Sequence, residues 1–83
     1  MYTIMKRYSL TAVIWKEGRL YVSKCPELGV ASFGGTPEAA RSALGEAVEL
    51  YLSNARKLGI LHDLAPALSS TDRFTTSLEV VAV

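Results

Sequence analysis

The chain holds one cysteine, one histidine and three prolines in 83 residues. With Cys25 alone, no intrachain disulfide can form, so a domain this small has no covalent staple. A zinc site fails on ligand count for the same reason. No apolar run reaches the roughly 18 residues that a membrane span requires. An excess of charge is missing as well: nine Lys+Arg stand against eight Asp+Glu, a formal charge of +1. Lys6-Arg7 and Arg56-Lys57 are isolated basic pairs. A protein that grips phosphates carries a clustered basic excess, so DNA or RNA binding by this chain is not expected. Tyr8, Trp15, Tyr21 and Phe33 could stack bases only beside a basic groove, and are read as core and subunit contacts. At the N-terminus the apolar residues precede Lys6-Arg7 and no apolar stretch follows, the reverse of a secretion signal. A cytoplasmic protein is expected.

Apolar residues, by contrast, are plentiful at 49%. A chain of this length forms one domain, here residues 1–83, and buries only about 60–65% of the surface its unfolded form exposes. The apolar surplus therefore points outward, to a face that meets another chain, and a homo-oligomer, dimer or higher, is expected.

Alternation organises the first third. From Tyr2 to Ile14 the even positions are apolar except Lys6, which predicts a strand with one buried face, best defined over Tyr8–Trp15. Lys16-Glu17-Gly18-Arg19 is a polar turn, and Leu20–Lys24 alternates again, completing a hairpin. Pro26 ends the second strand, and Val30–Phe33 is a short third one. After Gly34-Gly35, Thr36 is a helix cap, Pro37 suits the first helical position and Glu38 the positive end of the dipole. The helix is predicted from Pro37 to about Lys57, with Ala40, Leu44, Ala47, Tyr51 and Leu58 on one line, Ala43, Val48, Leu50 and Ala55 beside it, and Leu52 off the stripe. Gly59 is its left-handed stop. Ile60–Thr71, with Pro66, reads as a connection with one helical turn near Leu61–Leu64. Phe74–Val83 alternates again and is predicted as a fourth strand. The fold class is α+β, in β-β-β-α-β order: two layers, one helix on a mixed sheet. Placing strand 4 beside strand 1, parallel to strand 3, gives the order 3-2-1-4. The face away from the helix carries Met5, Val13, Trp15 and Val81.

No catalytic constellation emerges. Element order of this kind also occurs in the first half of ribonuclease-H-like nucleases, whose carboxylates on strand 1, the helix and strand 4 hold metal ions. Strand 1 here has no Asp or Glu. Cys25 lacks a base nearby in sequence, and His62-Asp63 reads as a solvated pair. Gly34-Gly35-Thr36 precedes a helix but has neither the lysine of a P-loop nor the spacing of a dinucleotide fingerprint, so it is read as a hinge. Neither cofactor nor metal is expected.

One combination is specific. Tyr21-Val22, Cys25-Pro26-Glu27-Leu28-Gly29-Val30, then Ser32, Gly34 and Thr36-Pro37-Glu38, leading into Glu46–Leu52, resembles the HicB antitoxin family over residues 8–52. The resemblance implies a degraded ribonuclease-H-like fold and a non-enzymatic role in a type II toxin-antitoxin pair. The partner it implies is a HicA-type toxin, a small mRNA-cleaving ribonuclease. Many members carry a C-terminal DNA-binding module; with Val83 in the fourth strand, none is expected here. Phe33 and Gly35 stand where the family usually has polar residues, and Ala39 where it often has Glu. The expected partner-binding residues are Pro26, Glu27, Gly34, Gly35 and Thr36, on loops that the sheet holds rigid. A stand-alone oligomerisation module and a nucleic-acid-binding domain are the alternative readings.

Overall fold

A computed structural model describes residues 7–70 and 72–82. Three strands, β1 (Val13–Glu17), β2 (Leu20–Cys25) and β3 (Val30–Gly34), form an antiparallel meander in the order β1-β2-β3. A long helix, α1 (Pro37–Lys57), follows, then a 3-10 turn over Leu61–Leu64 and a short helix, α2 (Ala65–Ser69). The class is α+β.

Local chemistry explains each boundary. Glu17 pairs with Leu20, leaving Gly18-Arg19 as a two-residue loop. Gly18 takes φ 61° while Arg19 keeps a negative φ, the combination of a type II′ hairpin turn. Thr36 caps α1: its Oγ1 accepts a hydrogen bond from the amide of Ala39 at 3.0 Å. At the other end Gly59, φ 73°, donates to the carbonyl of Arg56, and Ile60 donates to that of Ala55. These two bonds close a Schellman motif and turn the chain off the helix axis.

The register sets two sheet faces. Ser23 and Cys25 of β2 point towards α1, beside Ile14 of β1 and Val30 and Ser32 of β3. Ser23 is fully buried, and its hydroxyl donates to the Ala40 carbonyl at 2.7 Å, tying the first turn of the helix to the central strand. From α1, Ala40, Leu44 and Ala55 are buried. Leu58, expected on the same line, is exposed because the helix ends at Lys57 and the sheet does not extend beneath it. Leu50, expected beside that line, is also exposed. Leu52, expected off the stripe, instead lines a groove with Leu44 and Val48. The core is thin: the largest side chains buried completely are Cys25 and Ser23.

Two expectations about strands are corrected. The first strand begins at Val13 rather than Tyr8, since residues 8–12 have no partner strand among the described residues; Tyr2, Ile4 and Met5 lie outside the described residues. Residues 72–82 form no strand, so the fourth strand, the mixed sheet and the 3-2-1-4 order are not seen among the described residues, and Val83 lies outside them. Alternation marks a segment whose two faces differ, and does not by itself pair that segment with an edge of its own sheet. Phe74 is 91% exposed and Val81 93%. Among the described residues no helix is long and apolar enough to cross a membrane.

Candidate functional site

The five residues singled out above occupy two places. Pro26 and Glu27 begin the turn from β2 to β3, where Cys25 offers its carbonyl to the amides of Leu28 and Gly29. Gly34, Gly35 and Thr36 lie at the far end of β3, where Gly34 pairs with Tyr21. One strand length, about 16 Å at 3.3 Å per residue, separates the two groups. The structure therefore does not bring all five together.

Their side chains also differ in availability. Glu27 is turned inward, its side chain 10% exposed. Its carboxylate accepts from the Thr11 hydroxyl at 2.6 Å, the Thr11 amide at 3.1 and 3.2 Å, and the Cys25 thiol at 3.4 Å. Arg73 Nε stands 3.1 Å from Glu27 Oε2 without the alignment of a hydrogen bond, an ion pair only. The rest of that guanidinium reaches the carbonyls of Ser9, Ala67 and Leu68. Burial pushes the Glu27 carboxyl upward, but hydrogen bonds from the Thr11 hydroxyl, the amides of Glu27 and Thr11 and the Cys25 thiol prevail. They hold its pKa at about 2, against an ordinary 4.5. Glu27 is thus a clamp between the turn, the segment before β1 and the residues after α2. Nothing in sequence spacing marks that role, since Arg73 lies far along the chain.

Gly34 is equally committed, because α1 crosses directly over it. Pro26, Gly35 and Thr36 are exposed, although the Thr36 hydroxyl serves as the helix cap. Beside Gly35, Phe33 is 63% exposed and aligned across the sheet with Val22 and Trp15. That row was missed as a unit because it combines single residues from three strands. Val13, Leu20 and Ala31 extend it over the outer face, with Lys24 and Glu17 among them. The Trp15 indole donates to Glu17 Oε1 at 2.9 Å and fixes the ring over the sheet.

Cys25 is 1% exposed, and burial raises its thiol pKa above 9; the amide of Leu28 opposes this and the Glu27 carboxylate adds to it. The protonated thiol is inert at neutral pH. A thiol-exchange reagent is expected to label Cys25 at least about 100-fold faster in concentrated urea than in the native chain; equal rates would show an accessible thiolate. His62 and Asp63 approach to 3.1 Å but remain largely in solvent. Among the described residues no three His, Cys, Asp or Glu side chains gather as a metal site would require.

Comparison with protein-family models, curated proteins and solved structures found no match to this chain.

Proposed function

We propose that this chain is a cytoplasmic, HicB-like antitoxin domain that acts by contact and performs no catalysis. Its partner is a HicA-type mRNA-cleaving toxin, held inactive by cover of its catalytic surface, which excludes RNA. The motif resemblance over residues 8–52 motivates the reading. The observation that carries it is the uncovered apolar row of Trp15, Val22 and Phe33 across the outer sheet face. An apolar patch held on a rigid sheet and rimmed by charged residues suits a protein partner. The thin core favours a second reading, self-association alone, and a homodimer is compatible with both.

Co-expression with a HicA-type toxin tests the proposal. Growth is expected to recover and the two proteins to co-purify, and Phe33→Lys is expected to weaken the complex at least about 10-fold by placing a charge in the apolar contact. Unrelieved growth arrest without co-purification would leave self-association as the reading.

A further inference from the structure

A second uncovered apolar surface lies on the other side of the sheet. Between α1 and residues 8–12 runs an open groove of about 560 Å³, its apolar lining supplied by Leu10, Ala12, Leu44, Val48 and Leu52, with Arg41 and Glu49 of α1 also lining it. No residue of the 74–82 tail lines it. The groove borders residues 8–12 where they run into β1, whose outer edge has no strand against it among the described residues. This chain also contains a segment of the matching kind. In residues 74–82, Phe74, Leu78, Val80 and Ala82 fall on one side at the period of a strand, and only Glu79 is charged. The Arg73 clamp fixes where this tail begins, beside Ser9 and Glu27. Beyond it the tail stands in solvent, with Leu78 85% and Val80 76% exposed.

Dimensions agree with an unsatisfied monomer. The radius of gyration is 15.1 Å, where a compact chain of this length has about 12 Å. A fold whose largest fully buried side chains are a cysteine and a serine lacks apolar cover, while four apolar tail residues lack a core.

We infer that residues 74–82 of one chain add as a fourth strand to the free edge of β1 in a second copy, their apolar side filling its groove. The inference rests on the homodimer reading above and names the segment that makes the dimer. Donor strand and acceptor edge belong to the same chain, so the exchange is reciprocal and closes with two-fold symmetry. Strand addition pairs the backbone groups that the edge and the tail leave open, and the groove sets the register by accepting alternate side chains. Stable pairs bury on the order of 1,200–2,000 Å², an area that two exchanged nine-residue strands are expected to supply. The outer row of Trp15, Val22 and Phe33 lies on the opposite face and stays free for a different partner.

Two measurements decide it. In a Cys25→Ala background, chains carrying only Ala12→Cys are mixed with chains of different mass carrying only Val80→Cys, and a short bismaleimide is added. The expected product joins one chain of each kind. Absence of that product overturns the exchange, as does joining confined to single chains that carry both changes, which would mean the tail closes on its own groove. Light scattering at tens of micromolar is expected to give a dimer for the native chain and half that mass for Leu78→Lys/Val80→Lys, with unchanged helical circular dichroism. A dimer that persists in the double variant overturns the exchange but leaves the homodimer standing; a monomeric native chain overturns both.

Discussion

Gly34→Ala is expected to lower the free energy of unfolding by about 3 kcal/mol, the upper end for forcing atoms into a packed interface. A Cβ at this position would sit 2.5 Å from the Ala40 nitrogen, 2.7 Å from the Ala39 carbonyl carbon and 2.9 Å from the Ala39 Cβ. Two of these three are backbone atoms, which cannot swing aside like the tip of a side chain. The first turn of α1 would have to lift, and it is held by the Thr36 cap and by the bond from Ser23 to the Ala40 carbonyl. For a chain of this length the whole stability is on the order of 4–12 kcal/mol, so the variant loses a large share of it. Gly35→Ala is the control, because nothing lies within 4 Å of a Cβ there, and it should stay within about 0.5 kcal/mol of the native value. Urea melts of the two variants that coincide would refute this account of the interface.

Acid should act through Glu27. Its carboxyl has a pKa of about 2 in the fold against an ordinary 4.5, so the fold favours the ionised form. That preference is fully present above about pH 4.5, erodes as pH falls, and is gone once pH passes about 2. With solvent screening allowed for, the gap corresponds to at most about 3 kcal/mol. Glu27→Gln removes the charge that the Thr11 hydroxyl and amide and the Cys25 thiol hold, and leaves the Arg73 guanidinium without its ion partner. At neutral pH the variant should be less stable than the native chain by up to about 3 kcal/mol, and the difference should close as pH is lowered towards 2. Stability profiles that run parallel from pH 7 to pH 2 would remove Glu27 from the cause of acid unfolding.

What could be read from the residues was local. Thr36, Pro37 and Gly59 carry their signals within a few positions, so helix α1 over Pro37–Lys57 and its left-handed stop match the expectation. The hairpin around Gly18 and the helical turn over Leu61–Leu64 are of the same kind, although α2 after them was read as part of a connection. Illegible features depend on distant partners. The alternation of residues 74–82 states that two faces differ, and is silent on which edge they meet. Glu27 looked like a loop residue facing a partner because the arginine that faces it arrives 46 positions later. Gly34 looked like a hinge, whereas its missing side chain is what lets the helix lie on the sheet. The row from Trp15 to Phe33 needed the strand register before it became one surface.

The Arg73 clamp also governs where the chain enters and leaves its packed elements. By tying Ser9 and Arg73 to the Glu27 turn, it brings the segment before the sheet and the segment after the short helix to one corner. The opposite end of β3, with Gly35 and Thr36, is left clear. The chain therefore enters and leaves its packed elements on the same side. The helix cap and the rim beside Phe33 lie at the other end of β3 from that corner, the end from which to approach the sheet with a probe.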